Sequence, residues 1–133
     1  MEFSTILTVA IGGSIGAVLR YLVANLGQSL TTADFPLGTL IVNIIGCALI
    51  GLITALLIGP LGQNRELLRL LLIVGVLGGF TTFSTFALDS IELFEDGRLW
   101  QVTLYIVLSN VIGILAALGF YRVGTMLFQS TPA

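Results

Sequence analysis

The sequence predicts an all-α integral membrane protein of four transmembrane helices, and three observations predict it. Hydrophobic residues make up 56% of the 133 positions and charged residues only 9%, against about 25% charged in a soluble domain. Five basic and seven acidic side chains cannot cover the surface of a water-soluble fold of this size, so the apolar excess must face lipid. The apolar residues also gather into four stretches separated by short connectors, each long enough for a hydrocarbon core of roughly 30 Å, which takes about 20 helical residues.

The first stretch runs over about 3–26. Glu2 precedes it rather than a basic region, and it continues through Arg20 and Tyr21 without a small-residue cleavage pattern, so it is expected to be a retained helix and not a signal peptide. Gly12 and Gly16 give it the small-xxx-small spacing that lets membrane helices approach closely. The second stretch covers about 37–58, with Pro36 and Pro60 at its edges, where proline is tolerated. The third covers about 67–94 and the fourth about 99–128. No internal repeat is visible, and one transmembrane domain over 1–133 is the simplest reading.

The third stretch does not read as a continuous helix. Its centre runs Gly75-Val76-Leu77-Gly78-Gly79-Phe80-Thr81-Thr82-Phe83-Ser84-Thr85-Phe86. Paired glycine is a poor helix interior, and Thr and Ser hydroxyls compete for nearby backbone groups. Together they predict a break near 78–82, close to mid-bilayer. Non-helical backbone at that depth survives only where protein buries it or it lines a watery cavity, and broken helices of this kind form ion sites in transporters. Phe83 and Phe86 are three apart and share a helical face, with Phe80 expected to extend the stripe. Aromatic rings are positive around the edge, so ring edges can meet a small anion. Ser84 and Thr85 add hydroxyl donors.

Further polar residues lie inside the apolar stretches. Thr39 and Asn43 are four apart, as are Tyr105 and Ser109, so each pair shares a helix face. Asp89 and Glu92 follow the expected break. Arg20 either snorkels to an interface or places a positive charge at a pore mouth, where it concentrates anions. With a cytoplasmic N-terminus, Arg65, Arg69 and Arg122 fall near the inner side and Arg20 and Arg98 near the outer. So small an asymmetry barely sets orientation. It reflects either the scarcity of charge or dual topology, with two copies paired head to tail.

Composition also excludes chemistry. There is no His and a single cysteine, Cys47, so a His/Cys metal cluster, a Cys–His pair and a Ser–His–Asp triad are ruled out by count, and an enzyme is not expected. Cys47, inside an apolar run, reads as a small buried filler. The chain lacks Lys and any basic patch for nucleic acid.

Three segments then resemble one family. Gly12-Gly13-Ser14-Ile15-Gly16-Ala17-Val18-Leu19-Arg20-Tyr21 resembles the first-helix motif of the Fluc (CrcB) fluoride channels. Gly38-Thr39-Leu40-Ile41-Val42-Asn43 resembles their second motif. Gly78-Gly79-Phe80-Thr81-Thr82-Phe83-Ser84-Thr85-Phe86 resembles their most specific one. The resemblance implies a fluoride-selective passive channel in the cell's inner (plasma) membrane, exporting fluoride and lowering its toxicity. It also implies an antiparallel, dual-topology homodimer with two pores. Phe83 and Phe86 correspond to the pore phenylalanines, Asn43 to the pore asparagine and Arg20 to the vestibule arginine. Gly78 and Thr81 match the positions whose carbonyls hold a structural Na+ at the dimer interface. Ser84, Thr85, Tyr105 and Ser109, with Thr39, match polar positions along the fluoride path. Phe80, Ala87, Asp89 and Gly113 depart from the usual pattern and thin the hydroxyl track toward its ends.

Fluoride is small and strongly hydrated, so hydroxyls, an amide NH2 and ring edges suit its passage, provided binding is weak enough for exit. Two alternatives remain from the residues. One is a proton-coupled transporter, for which Asp89 is the candidate coupling group. The other is an accessory subunit of a larger membrane complex.

Overall fold

The computed structural model describes residues 2–32 and 34–128. Helix α1 spans Phe3–Ser29 and α2 Leu37–Ile58. A 3-10 turn, Gly62–Asn64, leads into α3, Arg65–Leu68, which passes into a π-helical segment, Arg69–Leu77. Helix α4, Gly78–Phe80, is followed by α5, Phe83–Glu95, and α6, Leu99–Phe128. Among the described residues four helical spans are long and apolar enough to cross a membrane: Phe3–Ser29, Leu37–Ile58, Gly62–Glu95 and Leu99–Phe128.

The ends of these elements follow from local chemistry. Pro36 stands immediately before α2, where a missing N–H costs nothing. Gly59 and Pro60 close α2, because proline cannot continue a helix. Between α5 and α6 the chain reverses at Gly97, whose φ of 72° lies in the left-handed region that glycine enters without a Cβ penalty.

Helix α2 packs mainly along α6, and α1 along the π-helical segment and α4. The second contact depends on absent side chains. A Cβ at Gly12 would lie 2.5 Å from the Leu71 carbonyl oxygen, and one at Gly16 would collide with the Val76 carbonyl. Since lipid is as apolar as leucine, helices in a membrane associate by close packing and polar bonds more than by hydrophobic burial.

Two small clusters form the interior. Leu40, Leu93 and Tyr105 make one, flanked by Phe35, Phe86 and Leu108. Val42, Leu77 and Phe80 make the other, flanked by Val23, Ala24 and Ile53. Large apolar side chains along α1 and α6 otherwise point outward, as they would toward lipid.

Candidate functional site

Thr81 and Thr82 are extended, at φ −77°, ψ 157° and φ −150°, ψ 115°. Gly78 and Gly79 are helical. The departure from helix therefore sits on the two threonines, after the glycines rather than at them. Phe80 ends the upstream helix and turns inward, buried with Val42 and Leu77. It does not extend the Phe83–Phe86 stripe, because the extended residues reset the rotational phase between them.

Asn43 of α2 bridges this point. Its Oδ1 accepts the Thr82 N–H at 2.9 Å and its Nδ2 donates to the Thr82 carbonyl at 3.1 Å. A carboxamide carries one acceptor and two donors, so one side chain replaces the acceptor the Thr82 N–H would have had in a helix. It also adds a donor to the Thr82 carbonyl, which as the N-cap carbonyl of α5 also accepts that helix's first bond. Thr82 is buried, and its side chain caps α5: Oγ1 accepts the Thr85 N–H at 3.2 Å. The same hydroxyl donates to Thr85 Oγ1 at 3.0 Å and lies 3.3 Å from Ser84 Oγ. Thr82 was not singled out from the sequence, where it looked like one hydroxyl among four. The available signal was its N-cap position, one residue before α5 and three before Thr85.

This redirection frees carbonyls. In an uninterrupted helix the Thr82 N–H would close on Gly78 O and the Thr85 N–H on Thr81 O. Here those amides donate to Asn43 Oδ1 and Thr82 Oγ1 instead. Because α5 starts afresh at Phe83, the carbonyls of Gly79 and Phe80 lose their helical donors as well, so four carbonyls in a row, Gly78 to Thr81, are released. Hard cations take oxygen ligands of this kind, so the donor set fits a small cation.

Next to the bridge lies a partly open cavity of about 350 Å³, whose lining includes Asn43, Thr82, Phe83, Phe86, Ser109 and Gly78. The Phe83 and Phe86 rings touch, with centroids 5.5 Å apart and planes at 45°. Phe83 is 79% exposed on the single chain, whereas Phe86 is half-buried. Ser109 lines the cavity, and its buried Oγ makes no hydrogen bond among the described residues. Cys47 is half-buried and lines the same cavity, close to where a Cβ on Gly113 would lie.

The remaining sequence-selected residues are distributed around this centre. Ser84 and Thr85 are exposed and tied to Thr82. Tyr105 is fully buried, packs against Phe86 with centroids 5.2 Å apart and planes tilted at 43°, and donates its hydroxyl to Asp89 Oδ2 at 2.9 Å. Thr39 meets the same hydroxyl from α2. Arg20 is half-buried on α1 and is not among the residues lining this cavity.

Apolar spans and a polar centre at an interrupted helix define a multi-pass α-helical membrane protein. The model of the CrcB-like, camphor resistance (CrcB) family matches residues 7–120, and the chain belongs to that family. Among its relatives, a protein of Agrobacterium fabrum named fluoride-specific ion channel FluC is 48% identical, over 90% of this chain and 95% of its own length. A FluC of Ruminiclostridium cellulolyticum is 40% identical, over 95% and 90%. One of Nautilia profundicola is 45% identical, over 96% and 99%.

Proposed function

We propose that this protein is a fluoride-selective channel, not an enzyme, that lets fluoride pass down its gradient and out of the cell, lowering its cytoplasmic concentration. One observation carries the reading. The Phe83–Phe86 pair, the Asn43–Thr82 bridge and the unpaired Ser109 hydroxyl converge on one cavity. Ring edges and O–H or N–H groups are what a small, strongly hydrated anion needs in exchange for water. Asn43 holds the extended backbone open, Phe83 and Phe86 present their edges, and Ser109 supplies a donor. Thr39, Ser84, Thr85 and Tyr105 extend the polar path, and Arg20 attracts anions toward its mouth.

The working unit is an antiparallel homodimer in the inner membrane. The exposed Phe83 ring and the exposed Gly78 support a second copy covering this face, and the nearly balanced arginines support insertion in both orientations. A structural Na+ between the copies would be held by the Gly78 and Thr81 carbonyls. When bound, it supplies fixed positive charge that ties the interrupted segments together.

The test is fluoride efflux from liposomes holding only the purified protein, with chloride as control. Fluoride efflux without a pH gradient is expected, with chloride retained. Efflux that requires a pH gradient would replace the channel by an exchanger, and no efflux would reduce the chain to an accessory subunit. For topology, a C-terminal reporter is expected on both sides of the membrane. Its confinement to one side would contradict the head-to-tail pair.

A further inference from the structure

The Phe83–Phe86 pair does not end at α5. Phe86 packs on Tyr105 with the two planes tilted at 43°, and Tyr105 meets Phe35 in a T-shaped contact, with centroids 5.7 Å apart and planes at 83°. Four rings thus run from the cavity to the connector between α1 and α2. Connectors are ordinarily the most variable part of a fold, yet this one is pinned at two consecutive carbonyls. The Asp34 carbonyl accepts from Arg98 Nη1, which reaches over from the α5–α6 connector. The Phe35 carbonyl accepts from Gln28 Nε2 at 3.1 Å. Gln28 Oε1 in turn accepts the Gly38 N–H at 3.2 Å, satisfying a first-turn amide of α2 that has no helical partner.

The pinned backbone leaves Phe35 little freedom, and the ring presses on a neighbour with none to spare. Tyr105 is fully buried and fixed at its other end by Asp89. In a close-packed interior a constraint on one ring is passed to the next.

We infer that Phe35 is a positioning residue for the anion path, held by Gln28 and Arg98 and setting the Phe86 ring through Tyr105. This rests on the fluoride-channel reading. Phe86 must offer its edge, not its face, to an anion, and an edge-to-face neighbour two rings away selects the orientation.

The experiment measures fluoride efflux in liposomes for the wild type, Phe35→Leu, Phe35→Tyr, Tyr105→Leu and the Phe35→Leu/Tyr105→Leu double variant. Leucine keeps most of the volume but has no edge. Phe35→Leu should slow efflux about three- to tenfold, the scale of a ring–ring preference, and Phe35→Tyr should restore it. Because the influence runs through Tyr105, Phe35→Leu should change efflux less than about twofold when Tyr105 is already leucine. Wild-type rates in Phe35→Leu, or reductions that multiply in the double variant, would overturn the inference while leaving the channel intact. No efflux from the wild type would remove the channel reading itself and this inference with it. Should Phe35→Leu fail to fold, Gln28→Met carries the same test from an exposed position, with slower efflux expected and an unchanged rate overturning the proposal.

Discussion

Helix α6 and the Gly62–Glu95 span cross the same thickness with similar residue types, and Thr103, Asn110 and Thr125 of the one and Thr82 of the other use their polar groups in opposite ways. In α6, Tyr105 reaches Asp89 and Ser109 lines the cavity, but three other polar side chains fold back on their own helix. Thr103 donates to the Leu99 carbonyl, Asn110 to Ile106 and Thr125 to Arg122. In the other span Thr82 takes its backbone partners from Asn43, 39 positions away, and its hydroxyl serves Ser84 and Thr85. A polar group satisfied by its own turn leaves the helix apolar in effect and carries no outward chemistry. Once the backbone leaves the helix, its groups need partners from elsewhere, and gathering those partners builds a site.

The sharpest way to break this contrast is Asn43→Ala. It leaves the buried Thr82 N–H without its acceptor, at about 1–3 kcal/mol, and removes a second donor from the Thr82 carbonyl. Thermal unfolding in detergent should fall clearly, and fluoride flux by about tenfold or more, since each 1.4 kcal/mol is a factor of ten. Flux and melting equal to wild type would mean that the bridge does not hold the segment.

Next in size is Gly16→Val. The new side chain meets the Val76 carbonyl of the π-helical segment, and overpacking of a close backbone contact costs about 1–3 kcal/mol. The melting temperature should drop, whereas Gly119→Ala, where a Cβ meets nothing within 4 Å, should leave it in place. Equal behaviour of the two would show that α1 does not pack as described.

The smallest effect belongs to Thr103→Ala on α6. Its hydroxyl bonds only to its own helix, so stability should move by less than about 0.5 kcal/mol and flux should not change. A large loss there would erase the distinction between the two spans.

The contrast also marks what could be read from residues alone. Four long apolar spans were legible because lipid imposes length and polarity with little ambiguity. Gly-Gly followed by hydroxyls was legible as trouble for a helix. What was not legible is the division of labour inside 78–82: both glycines remain helical and the extended geometry falls on Thr81 and Thr82, where Asn43 binds the Thr82 backbone from another helix. The π-helical register of Arg69–Leu77 left no trace in an apolar run. Asn43 and Ser109 could be chosen as polar residues on helix faces. That one would clamp a backbone and the other would keep a free hydroxyl depends on contacts between helices. Gln28 and Phe35 carried no signal, since a glutamine near a helix end and a phenylalanine before a proline are ordinary connector residues.

The measurement that bears most directly on the interrupted span as the anion path is fluoride efflux from liposomes containing Phe83→Ile or Phe86→Ile protein, beside the wild type. Isoleucine keeps the apolar bulk and removes the positive ring edge. Efflux is expected to fall steeply in both variants while the folded oligomer persists on size-exclusion chromatography. Wild-type efflux from both would place the fluoride path elsewhere in the molecule.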